Sequence, residues 1–220
     1  MRSVFKKLIK IIAIYSLLVT SVTAEKLMVF NFTEEELNSL EVRKVRGADA
    51  KTLYSIGNNE NGSYLKAVAE NAASGVGKEI KINLDKTPFI NITWKIEKDL
   101  KGIKENTKKG HDFAARVFVI KKTGATPLSN RAINYVFSSN SNVGETWPSP
   151  YTKKSIDSVL ASTKSNLNEW VTVKANVKED FKKFHDLDVE ELSGIAIMAD
   201  TDNSKLTAVS YYQNIFFSSE

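Results

Sequence analysis

Hydrophobic and polar positions alternate with a period of two along most of the chain. Nine runs carry the pattern: 26–32 (KLMVFNF), 63–69 (SYLKAVA), 78–84 (KEIKINL), 89–96 (FINITWKI), 114–122 (AARVFVIKK), 131–139 (RAINYVFSS), 169–176 (EWVTVKAN), 192–199 (LSGIAIMA) and 207–217 (TAVSYYQNIFF). Val, Ile, Phe, Tyr and Thr dominate them, and these side chains suit a pleated, half-buried surface. Many short strands separated by Gly, Asn, Asp, Ser and Lys predict an all-β sandwich or barrel rather than a doubly wound fold. Two short segments read as helical. In 33–39 Thr33 precedes Glu36 at the capping-box spacing, and in 178–184 Phe181 and Phe184 fall on one helix face. No repeat, low-complexity tract or Pro-rich linker divides residues 25–220, which read as a single domain.

Alternation also assigns faces. Ile90, Ile92, Trp94 and Ile96 share one apolar face, which places Trp94 in the core. Tyr135, between Ile133 and Phe137, is placed the same way. Asp112, Ala114, Arg116 and Phe118 share a face if the alternation reaches back to Asp112, and Arg116 is then a cation among apolar residues. A buried Arg needs a partner against a desolvation cost of several kcal/mol. Arg116 is expected to pair with Asp112 or with a carboxylate of an adjacent strand; contact with a ligand is the competing role. Trp147 and Tyr151 lie in Gly144-Glu145-Thr146-Trp147-Pro148-Ser149-Pro150-Tyr151, whose two prolines deny it ladder hydrogen bonds. An exposed Trp–Tyr pair offers apolar faces for stacking on sugar rings. The alternative is that Trp147 folds back as a lid over the core.

Residues 1–24 break the pattern. Arg2, Lys6, Lys7 and Lys10 accompany an apolar run from Leu8 to Val19, and Val22 and Ala24 sit at the −3 and −1 positions of a small-residue cleavage site. The run is shorter than the ~20 residues a spanning helix needs. A cleaved export signal is therefore expected over 1–24, with the mature chain periplasmic or secreted and without stable membrane insertion. The 220 residues include 31 Lys+Arg and 26 Asp+Glu, a formal net charge of +5. Without the four cations of the signal, 27 basic residues face 26 acidic ones, a net charge of +1. Such a chain has no electrostatic claim on nucleic acid or anionic lipid. Zero Cys excludes disulfides, thiol nucleophiles, cysteine-ligated metals and a lipoprotein anchor.

Enzyme motifs are scarce. There is no G-x-S-x-G elbow, Walker loop or H-E-x-x-H, and Gly75-Val76-Gly77-Lys78 reads as a tight turn rather than a phosphate loop. His111 and His185 each precede an Asp in sequence and are expected to be solvated or capping. One cluster is sharper. Asp200, Asp202 and Asn203 gather two carboxylates and an amide oxygen at the end of an apolar strand, hard ligands that suit Ca²⁺. A polar hairpin turn favours the same residues.

Several blocks are familiar together. Gly110-His111-Asp112-Phe113-Ala114-Ala115-Arg116-Val117-Phe118-Val119 resembles the G-D-D-F-A-A-R-V-Y-V block of a bacterial family catalogued as domain of unknown function 3047. Ala132-Ile133-Asn134-Tyr135-Val136-Phe137 resembles its A-x-N-Y-V-W strand, and Ser149-Pro150-Tyr151-Thr152 its N-P-Y-T. The stretch from Gly194 to Asn203 is similar to its G-I-A-I-M-T-D-T-D-N-T ending, followed by the aromatic strand Tyr211-Tyr212-Gln213-Asn214-Ile215. The resemblance spans roughly 28–217. His111 departs from the family's Asp, and Phe137 from its Trp. The family has no assigned activity, but its block pattern implies a jelly-roll-like β-sandwich of two antiparallel sheets with one or two short helices. Carbohydrate-binding modules of that shape often hold a structural calcium, which strengthens the expectation of Ca²⁺ on Asp200, Asp202 and Asn203 by analogy.

The leading expectation is thus an exported, non-catalytic β-sandwich that binds carbohydrate through Trp147, Tyr151, Arg116 and Asp112. A glycan-active enzyme using acids near Arg116, such as Asp112 and Asp200, is one alternative. An envelope structural or protein-interaction domain is the other.

Overall fold

A computed structural model describes residues 25–126 and 129–220; the expected signal, residues 1–24, lies outside them. The first half of the chain runs β1 (Lys26–Met28), α1 (Glu34–Ser39), β2 (Val42–Lys44), β3 (Leu53–Asn59), β4 (Gly62–Glu70), β5 (Ala73–Asn83) and β6 (Phe89–Lys98). There follow β7 (Ala115–Lys121), β8 (Arg131–Ser138), β9 (Thr146–Ser149), β10 (Thr152–Ser162), α2 (Thr163–Asn166), β11 (Val171–Asn176), α3 (Val177–His185), β12 (Glu191–Asp200) and β13 (Thr207–Ser218). These strands form a jelly-roll-like β-sandwich. One sheet has the order β11-β6-β13-β4-β3, with β1 also on β13; the other is β2-β5-β12-β7-β8-β10-β9. Pairing is antiparallel apart from β8 with β10, which run parallel.

All nine expected strands are present. The all-apolar face of β6 is buried as the alternation requires: Ile90, Ile92, Trp94 and Ile96 have no exposed surface. Trp94 packs on Phe137 across the sandwich, ring centroids 5.5 Å apart, and Tyr135 is buried beside them. Burying such side chains stabilises by roughly 1.5–3 kcal/mol each, so the interleaved β6, β8, β12 and β13 faces dominate the core. The helices close its ends. Thr33 Oγ1 accepts the Glu36 N–H at 3.1 Å, while Glu36 reaches back to the N–H groups of Asn31 and Phe32 rather than to that of Thr33. In α3, Phe181 is fully buried and Phe184 half-buried, as their spacing predicts.

Several expectations need correction. Gly75–Lys78 is no turn; it lies inside β5, hydrogen-bonded along β12. Residues 146–149 of the proline-containing loop do pair, as the edge strand β9 against β10, where Pro148 faces no third strand. The alternation of β7 begins only at Ala115. Ala114 and Ala115 both enter the core, Val117 and Val119 follow, and Arg116 and Phe118 take the outer face. The helical turn α2 was not anticipated; Ser162 caps it by accepting the Lys164 N–H.

Candidate functional site

At one end of the sandwich the chain changes sheets twice. The β6–β7 connection (99–114) leaves the six-stranded sheet, and the β12–β13 connection (201–206) returns to it. Asp112 ties the two crossings together. Its Oδ1 accepts from the Asn203 amide N–H at 3.2 Å and from Asn203 Nδ2 at 2.9 Å, and its Oδ2 accepts the Ser204 N–H at 2.6 Å. Asp200, the last residue of β12, accepts the Phe113 N–H at 3.2 Å and the Arg116 guanidinium at 2.5 Å. Arg116 therefore pairs with the adjacent strand rather than with Asp112, and it is also flanked by the Phe113 and Phe118 rings.

Asp112, Asp200 and Asp202 each bring a carboxylate oxygen within 4.8 Å of the others; the first two are buried and Asp202 half-buried. Burial pushes Asp200 above the usual carboxylate range, with Arg116 pulling against the rise and Asp112 adding to it. Burial and then Asp112 raise Asp202 as well. Three carboxylates against one guanidinium leave the cluster short of positive charge. Its donor set, all hard carboxylate oxygens, fits Ca²⁺. Of the residues nominated from sequence, Asp200 and Asp202 supply oxygens. Asn203 instead turns its nitrogen to Asp112 and its Oδ1 to Tyr151. Asp112, 91 residues before Asn203, completes the set.

The two nominated aromatics part company. Trp147 is half-buried against Phe113, Val136 and Val159, the lid arrangement, and its Nε1 meets no acceptor among the described residues. Tyr151 remains 56% exposed. Its hydroxyl donates to Asn203 Oδ1 at 2.6 Å, with the Lys108 carbonyl a second acceptor at 3.2 Å. Its ring stands edge-on to His111, centroids 5.5 Å apart. His111 is not solvated; it is the residue that ends the 3-10 turn Lys108–Gly110. It is buried, with Nε2 2.8 Å from Asp157 Oδ2, while Asn134 Nδ2 donates to Asp157 Oδ1 at 2.6 Å. His185 is half-buried at the end of α3 and donates through Nε2 to the Ala132 carbonyl at 3.0 Å.

Beside Tyr151 a cleft of about 470 Å³ opens between the two crossings, lined by Lys101, Lys104, Thr107, Lys109, Asn203 and Ser204 among others. Glu105 holds its wall in place. Buried beneath the loop, Glu105 accepts the Ser138 hydroxyl and, at 2.7 Å, the Ser139 N–H. Gly110 fits directly against Lys104, where a Cβ would sit 2.6 Å from the Lys104 carbonyl oxygen. Sequence reasoning missed this cleft, because a KGIKENTKK stretch reads as a solvated loop. It also missed the mutual contact of Tyr64, Trp170 and Tyr211, three residues from different parts of the chain.

The family model described as protein of unknown function (DUF3047) matches residues 38–216. The chain belongs to that family. No curated protein matches this DUF3047 chain. Among solved structures it is similar to the family 11 carbohydrate-binding module of the cellulosomal cellulase Lic26A-Cel5E of Clostridium thermocellum. The identity is 12%, over 90% of this chain and 95% of that one, with a TM-score of 0.45. It is also similar to the xyloglucanase domain of NopAA from Sinorhizobium fredii, at 10% identity, 80% and 92% coverage and a TM-score of 0.44. A thermostable cellulase derived from Cel12A of Rhodothermus marinus matches at 9% identity, 90% and 97% coverage and a TM-score of 0.41. Likeness at this level does not bear on what the DUF3047 chain binds.

Proposed function

We propose that this protein is an exported, non-catalytic carbohydrate-binding domain whose site is the corner formed by Tyr151 and the adjoining cleft. The observation that carries the reading is Tyr151. Its ring is exposed while its hydroxyl is fixed by Asn203, so a sugar can stack on it with little side-chain entropy left to lose. The neighbouring hydroxyl groups of Thr107 and Ser204 offer hydrogen bonds to sugar hydroxyls. Trp147 supports this surface from below rather than touching the ligand. Arg116 and Asp112 support it too, through the bonds that fix the 201–206 turn.

The geometry weighs against glycan cleavage by Asp112 and Asp200. Each is at most 1% exposed and both oxygens of each are bonded, so neither reaches a glycosidic oxygen. Beneath the site, Asp112, Asp200 and Asp202 would hold a structural Ca²⁺, with the half-buried Asp202 on the open side. Export through residues 1–24 would place the domain in the periplasm or outside the cell.

A glycan-binding screen in calcium buffer tests the reading. Tyr151→Ala is expected to weaken binding about tenfold, a loss of ~1.4 kcal/mol, whereas Trp147→Ala lowers the melting temperature more than the affinity. Silence of the wild-type protein across a broad array, or equal affinity for Tyr151→Ala, would end it.

A further inference from the structure

The three lysines of the cleft differ from several lysines elsewhere on the molecule. Lys178, Lys182, Lys122 and Lys205 all pair with carboxylates within 3.3 Å. Lys104 and Lys109 have no carboxylate within 4.0 Å among the described residues, and the Lys101 contact with Asp99 is at the 4.0 Å limit. No acidic side chain lines the cleft, although the Asp112 cluster lies just behind Asn203 and Ser204. The N–H groups of Asn203 and Ser204 and the Asn203 side-chain amide engage Asp112, whereas Asp202 is only half-buried, so an anion is favoured at the lysine side of the cleft and not at the Asp112 side. By contrast, the groove between Arg43, Glu79 and Lys122 over Gly75 and Gly77 neutralises itself, since Lys122 bonds Glu79 at 2.7 Å.

Three exposed lysines on the lining of one cleft make a positively charged wall, which favours an anion. The backbone carrying them is fixed by Glu105 and by the Gly110–Lys104 contact, so the three lysines extend from a firm wall. At about 470 Å³ the cleft falls in the roughly 300–1,000 Å³ range of small-ligand sites. We infer that the cleft selects acidic sugars, with a uronic-acid carboxylate held among Lys101, Lys104 and Lys109 while the sugar ring contacts Tyr151. This rests on the carbohydrate-binding reading above and narrows it to anionic glycans.

The test compares trigalacturonate with its fully methyl-esterified form, which has the same backbone and no charge. Titration calorimetry would use the purified protein in chelator, so that no metal bridges ligand and protein, with a broad set of neutral oligosaccharides alongside. The acid is expected to bind at least tenfold more tightly than the ester. Raising ionic strength from ~0.01 to ~0.15 M, which shortens the Debye length from ~30 to ~8 Å, should weaken the acid and leave the ester unchanged. A Lys101→Gln/Lys104→Gln/Lys109→Gln variant should lose the preference at an unchanged melting temperature, since all three side chains are exposed. Equal binding of acid and ester, or of neutral oligosaccharides alone, overturns the inference and leaves the carbohydrate reading standing. Binding of no glycan in chelator overturns the inference, and silence in calcium buffer as well overturns both. The salt titration uses the wild-type protein, so the inference is testable even if the triple variant misfolds.

Discussion

Arg116 and Asp200 bond at 2.5 Å with 5% and 1% of their surfaces exposed. A buried pair of this kind contributes little compared with well-packed apolar residues, but breaking it strands a charge. Arg116→Met is expected to cost about 3–5 kcal/mol in urea denaturation. Arg116→Met with Asp200→Leu should recover most of that loss, because no charge is left behind. If the double variant is as unstable as the single, the pair holds the fold in some other way. A cation amid apolar neighbours was legible in the sequence as an ion pair, but its partner was not. Alternation names a face without naming which strand lies next to it, and β12 is more than 70 residues away in sequence. Glu105 was illegible for the opposite reason. It sits among lysines in a polar stretch, and only the return of β8 to that corner buries it.

Strands announced themselves where β-branched and aromatic residues crowded a run that gives one face to the core. β6, β7, β8, β12 and β13 are of this type, and their boundaries fell within a few residues of expectation. The strands without a reading were β2, β3, β9 and β10. β3 carries Gly57 and two Asn, β10 opens on Thr152, Lys153 and Lys154, and β9 contains Pro148. β2, β3 and β9 are sheet edges, where one side of the strand is free of partners and composition is less constrained, and β10 lies next to the edge strand β9. At the same scale, α3 docks on β8 through His185. Burial, reinforced by Arg131, lowers the His185 pKa below its ordinary 6.5, against the hydrogen bond to Ala132. A histidine whose folded pKa is depressed contributes stability that is fully present above the unfolded value and is lost as pH falls through the folded one. Unfolding free energy should therefore decline as pH drops below about 6.5, as α3 is asked to carry a buried imidazolium. His185→Gln keeps a donor for the Ala132 carbonyl and removes the titration. Its stability should be flatter than that of the wild type over this window, and parallel curves would show that other groups set the slope.

Across the whole molecule, the candidate site occupies the place where the chain passes from sheet to sheet in both directions. The β6–β7 and β12–β13 crossings have few ladder bonds of their own, so side chains must hold them. Asp112 does this from one crossing by bonding the other. A cation shared by Asp112, Asp200 and Asp202 would fasten both crossings at once, and would do so only in the folded state, since Asp112 lies far from Asp200 and Asp202 in sequence. Ligands that bind only the native state stabilise it by RT ln(1 + [L]/Kd), ~2.7 kcal/mol at a hundredfold excess over Kd. For a domain of this size each kcal/mol moves the melting temperature by about 2–4 °C. Added Ca²⁺ is therefore expected to raise the melting temperature by about 5–10 °C over the chelated protein. Asp202→Ala removes the accessible ligand and leaves Asp112 and Asp200 in their internal bonds, so it should abolish that difference at little cost to the chelated protein. Coincident melting curves with Ca²⁺ and with chelator would reduce the cluster to a hydrogen-bonded strut. The 201–206 turn would then owe its rigidity, and the orientation of Tyr151 with it, to Asp112 and to the bonds of Thr201 and Lys205 with Ala72 and Asp49.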